Sequence, residues 1–110
     1  MGNKFLKVKD KQALDELVKN SESKPVVIFK HSNACGISAS IFKEMEQLGD
    51  QVNLVEVQSA RDISRELANM TGIRHETPQV IVLRDGKAVW NASHFGIKAA
   101  EVKKAVESHS

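Results

Sequence analysis

The stretch Pro25-Val26-Val27-Ile28-Phe29-Lys30-His31-Ser32-Asn33-Ala34-Cys35-Gly36-Ile37-Ser38 decides how the rest of this chain is read. Val26 to Phe29 is a short, unbroken apolar run rich in β-branched residues, the pattern of a strand buried on both faces of a sheet. His31 to Ala34 is a short polar loop. A helix then starts near Cys35, with Ile37, Ile41, Phe42, Met45 and Leu48 on one face and Gly49 placed to close it. The chain therefore passes from a buried strand, through a loop, into a helix whose first turn carries the only cysteine.

Working outward, Asp10 is a helix N-cap, followed by the apolar stripe Ala13, Leu14, Leu17 and Val18. On the other side, Val52 to Val57 reads as a second strand. Ser59 precedes a third helix, with Asp62 in a capping-box-like position, an Ile63, Leu67, Met70 stripe and Gly72 at its end. Ile73 to Pro78 is a loop and Gln79 to Leu83 a further strand. Asp85-Gly86 signals a hairpin into Ala88-Val89-Trp90. His94 to Gly96 is a connection, and Ile97, Val102 and Val106 mark a last helix over Lys98 to Ser108. Met45, Met70 and Trp90 read as core. The order α-β-α-β-α-β-β-α predicts an α/β fold with about four strands. Strands linked through helices pair in parallel, the last hairpin adds an antiparallel partner, and helices cover both faces.

With 110 residues, the chain suits one domain over positions 1–110. Hydrophobic residues make up 41% and charged residues 27%, the balance of a globular protein, which excludes long disorder and collagen. No apolar run approaches the ~20 residues of a membrane helix. The start Met1-Gly2-Asn3-Lys4 lacks the apolar core of a signal peptide, and Leu6 stands where a myristoylation signal wants Ser or Thr. The expected location is the cytoplasm. Sixteen Lys and Arg against 14 Asp and Glu leave +2, with the signs interspersed. That gives no support to a nucleic-acid or membrane partner. One cysteine excludes an internal disulfide. The four histidines, His31, His75, His94 and His109, have no close metal-ligand spacing, so no metal site is expected.

Cys35 carries the chemistry. Free N–H groups at a helix start favour a thiolate and lower the thiol pKa. Lys30 and His31 lie just upstream and add positive charge if they turn inward. Gly36 leaves the backbone open to close approach. Small and polar neighbours, Asn33, Ala34, Gly36 and Ser38, favour a reactive thiol over a buried one.

On these residues the chain resembles the thioredoxin/glutaredoxin superfamily. A second block agrees: Gly72-Ile73-Arg74, Thr77-Pro78, Gln79 to Leu83 and Asp85-Gly86 resemble the cis-proline loop, strand and hairpin of thioredoxins. Lys30-His31-Ser32, Cys35-x-x-Ser38, Arg74-His75-Glu76-Thr77-Pro78-Gln79 and Val89-Trp90 with Ala92-Ser93-His94 together resemble the YtxJ family of monothiol bacilliredoxins. This likeness spans roughly Pro25 to Gly96. It departs at Gly36, where the family is expected to carry proline, and that change bears on the thiol pKa and the helix start.

The resemblance implies a thioredoxin-like fold and a catalytic Cys35, with Gly36, Ser38 and His31 in support. It puts Thr77, Pro78, Arg74, His75 and His94 on the substrate-binding side. Arg74 offers a planar fork to a substrate carboxylate. Ser38 holds the place of a resolving cysteine and can only donate a hydrogen bond to the sulfur. The implied activity is removal of a low-molecular-weight thiol, bacillithiol by resemblance, from mixed disulfides on cytosolic proteins. No cofactor is permanently bound, the small thiol is a co-substrate, and the reduced protein is a monomer. Two other readings stand beside this one. Cys35-Gly36-Ile37-Ser38 nearly matches the site of monothiol glutaredoxins that share a [2Fe–2S] cluster between subunits. However, Ala92-Ser93-His94 replaces their glutathione-holding stretch. A redox-inactive adaptor binding partners around Pro78 is the third.

Overall fold

The computed structural model describes residues 4–32, 36–49 and 51–110. Five strands form one sheet: β1 (Lys4–Lys7), β2 (Val26–His31), β3 (Gln51–Glu56), β4 (Gln79–Arg84) and β5 (Lys87–Ser93). Four α-helices accompany them: α1 (Lys11–Asn20), α2 (Gly36–Met45), α3 (Arg61–Thr71) and α4 (Ala99–Ser108), with a short 3-10 turn at His94–Gly96. Across the sheet the order is β1-β3-β2-β4-β5.

Two expectations about the sheet change. There are five strands, not about four, because Lys4–Lys7 pairs in parallel with β3 at one edge. In addition, β4 follows a helix yet runs antiparallel to β2. The chain leaves α3 through the loop 72–78, which turns it round before it joins the far side of β2. The other pairings follow the reading: β2 is parallel to β3, and β4 and β5 form an antiparallel hairpin. Asp85 and Gly86 both have positive φ, 56° and 73°, which suits a tight hairpin whose twist matches that of its strands.

Alternation along the strands divides the core in two. Val27, Phe29, Val80 and Val82 pack under α2 and α4 against Ile41, Met45, Val102 and Ala105. Val26, Ile28, Ile81 and Leu83 pack under α1 and α3 against Leu14, Leu17, Ile63 and Leu67. Trp90 and Met70 are half-buried against these clusters. Asp10 caps α1 by accepting from the Ala13 N–H at 2.8 Å. α3 differs from its reading: it starts at Arg61, after Ala60, with no side-chain cap, so Ser59 and Asp62 form no capping box.

At the end of the sheet away from the loop 72–78, Arg84 donates to the carbonyls of Ser21, Glu22 and His109. One guanidinium thus ties α1, β4 and the end of α4 together. The opposite end of β4, at Gln79, carries the candidate site.

Candidate active site

β2 is buried along its whole length, yet its last two residues are polar, Lys30 and His31. Because side chains alternate, they leave the sheet on opposite faces. Lys30 is 0% exposed. Its ammonium donates to Gln79 Oε1 at 3.1 Å, directly across the β2–β4 ladder. Gln79 uses its amide group as well, donating from Nε2 to the Arg74 carbonyl at 3.0 Å. One side chain therefore joins a buried cation to the backbone of the loop before Pro78. Ser93, paired with Gln79 on β5, extends the row and donates to Glu76 Oε2 at 2.6 Å. The Thr77-Pro78 peptide bond is cis, and the Pro78 carbonyl accepts from the His94 N–H at 2.9 Å.

Electrostatics follow from this packing. Burial lowers the Lys30 pKa from 10.5 to about 8, opposed by the negative charge of Glu76. The Ser93 hydrogen bond holds Glu76 below the usual carboxylate range, against burial and aided by the positive fields of His94, Arg74 and His75. Burial also lowers His75, and Lys30 adds to that effect while Glu76 opposes it. His75 is fixed to α3 through Nδ1 and Ser64 Oγ, 2.9 Å apart.

His31 lies on the other face, in an aromatic group. Its ring meets Phe29 edge-on at 5.6 Å and Phe42 at 5.1 Å, and Phe5 stacks on Phe42 at 4.6 Å. Burial lowers its pKa, with Glu56 opposing. It lines a mainly apolar groove of about 610 Å³ with Phe5, Phe42 and Leu54.

The structure thus brings Arg74, His75, Thr77, Pro78 and His94 into one loop-centred group, and sets His31 against a different layer. Arg74, His75 and His94 are exposed, whereas Pro78 is buried. Gly36 opens α2 and is exposed, and a Cβ built there meets no atom within 4 Å. Cys35 lies outside the described residues, as does the side chain of Ser38. Sequence reasoning missed Gln79, Glu76, Ser93 and Ser64 as the side chains that hold the loop. The one available signal was a glutamine leading an otherwise apolar strand.

The low Lys30 pKa has a measurable consequence. Between about pH 8 and 10.5 the unfolded chain binds the proton more tightly than the folded one, so stability rises with pH over that window. Melting temperature plotted against pH should climb for the wild type relative to Lys30→Met, which lacks the group. Parallel curves would show that the ammonium is solvated in the folded protein.

A mixed sheet ordered in this way, with a cis-proline loop at the end of the sheet where the central strand β2 runs out, defines a thioredoxin-fold protein. Solved structures agree. A protein described as an oxidoreductase with a thioredoxin fold superposes with a TM-score of 0.83 at 28% identity, covering 92% of each chain. A thioredoxin mutant from Halobacterium salinarum gives 0.75 at 19%, covering 96% of this chain and 90% of its own. Schistosoma mansoni thioredoxin gives 0.75 at 20%, covering 97% and 96%. The family model for the monothiol bacilliredoxin BrxC matches residues 6–102, and the chain belongs to that family of thiol oxidoreductases.

Proposed function

We propose that this protein removes bacillithiol from protein mixed disulfides by a one-cysteine cycle through Cys35. The observation that supports this reading is the family match over residues 6–102 in a chain with a single cysteine. The Cys35 thiolate attacks the small-thiol sulfur of the mixed disulfide. A new S–S bond forms to Cys35, the old one breaks, and the target cysteine leaves as a thiolate. A second bacillithiol thiolate then attacks the adduct, giving bacillithiol disulfide and free Cys35 thiolate. Both steps are thiol–disulfide exchange and balance without any other oxidant or reductant.

In this reading the loop 74–78 offers its backbone and side chains to the mixed disulfide, with Thr77 and Pro78 nearest the reacting sulfurs. Arg74, His75 and His94 surround them, and Gly36 and Ser38 support the thiol from α2. His31 supports it from the aromatic side. The targets are S-thiolated cytosolic proteins, the working form is a reduced monomer in the cytoplasm, and nothing beyond the small-thiol co-substrate is held.

Reduced protein is mixed with one target carrying bacillithiol and one carrying glutathione, and intact masses are recorded. A bacillithiol adduct on Cys35, with the target released, is the expected result. Preferential uptake of glutathione would replace bacillithiol in the cycle, and no adduct from either target would overturn the reading.

A further inference from the structure

Arg61 and Arg65 stand one turn apart on α3 and place two like charges on one stripe. Arg61 is the first helical residue, so its charge faces the positive end of the helix dipole. Arg65 adds a like charge at the i+4 position, which weakens a helix. Asp62 and Glu66 are their chain neighbours. Among the described residues, however, no carboxylate lies within 4 Å of either guanidinium, and neither makes a hydrogen bond. Two exposed arginines without an ion-pair partner among the described residues thus share one stripe, continued by Asn69 one turn further on.

That stripe is one wall of a groove of about 440 Å³. Ser32 and His75 line the same groove, from the end of β2 and from the loop before Pro78. The groove therefore begins three residues from Cys35 in the chain, a length that spans at most about 11 Å. His75 Nδ1 is taken up by Ser64, which fixes that ring against the groove wall.

We propose that Arg61 and Arg65 form a carboxylate subsite that selects the small-thiol co-substrate, with Asn69 and His75 at its edge. The inference rests on the bacilliredoxin reading of Cys35 for its ligand. A guanidinium fork matches a carboxylate in two parallel hydrogen bonds, and two forks one turn apart suit a small thiol bearing more than one carboxylate. The subsite selects the thiol by charge, and the loop 74–78 receives the disulfide.

The test compares wild type with Arg61→Gln/Arg65→Gln, whose exposed positions leave the core untouched. One target protein is capped with bacillithiol, with glutathione, or with neutral 2-mercaptoethanol, and each release rate is measured at low and high salt. Wild type should favour the two carboxylate-bearing caps over the neutral one, more strongly at low salt. The double variant should lose that ratio by tenfold or more. An unchanged ratio would overturn the proposal. Equal losses with all three caps would overturn it too, by assigning the arginines to the target protein. Binding is read separately from turnover by titrating both proteins with S-methyl bacillithiol, which cannot exchange. Saturable amide NMR shifts over 61–75 in wild type alone are expected. Such binding without any turnover would leave the subsite standing and remove the proposed cycle. Turnover with matching shifts in both proteins would do the reverse.

Discussion

Cys35→Ser should leave release of the small thiol at its uncatalysed background, a loss of at least about 10³-fold, the scale seen when a nucleophile is removed. The hydroxyl cannot reach the thiolate's nucleophilicity near neutral pH, and a sulfur is needed to carry the small thiol between the two half-reactions. No other cysteine exists to take over. The comparison that gives this result its meaning is Ser38→Ala. A dithiol cycle needs a resolving sulfur at position 38, which serine does not supply. A one-cysteine cycle loses at most one hydrogen bond to sulfur, so Ser38→Ala should slow turnover by no more than about tenfold. Release rates from a capped target, read by mass, measure both. Residual turnover in Cys35→Ser above background would exclude covalent participation of Cys35.

Phe29→Ala carries the largest expected effect on stability. Phe29 is fully buried at the centre of β2, beneath α2, with Phe42 6.1 Å away and His31 5.6 Å away, ring to ring. Truncation leaves a cavity between the sheet and the helix, and such changes cost about 3–5 kcal/mol. A loss of that size is a large part of the stability of a domain this small. Urea titration should show the midpoint falling with little change in slope. A loss below about 1 kcal/mol would mean that this aromatic group contributes little to the core.

Much of this was legible in the sequence because it depends on local pattern. The apolar run Val26–Phe29, the Asp10 cap, the Gly72 stop and the Asp85-Gly86 turn each specify a conformation within a few residues, and each stands in the structure. The strand Lys4–Lys7 was not legible. Four residues with lysine at both ends and Leu6 41% exposed carry too weak an alternation, and only pairing with β3 makes them a strand. The start of α3 was misread because Ser59 and Asp62 have the right residue types, whereas the chain turns into helix after Ala60.

The candidate site divides along the same line. Resemblance brought Arg74, His75, Thr77, Pro78 and His94 to attention, and the structure gathers them. It gave no hint that Lys30 is buried, or that Gln79 links it to the Arg74 carbonyl. The Lys30–Gln79 bond joins residues 49 apart in the chain, and no periodicity records it. His31 adjoins Lys30 in sequence but serves the opposite face, as strand alternation requires.

The loop 74–78 is also not a portable module. Its anchors sit on three strands and a helix: Lys30 on β2, Gln79 on β4, Ser93 on β5 and Ser64 on α3. Grafting the five loop residues onto another scaffold would leave every anchor behind. Inheritance of this site therefore requires transfer of a cross-section of the sheet, and divergence within the loop is bounded by side chains outside it, one of them as distant in the chain as Lys30.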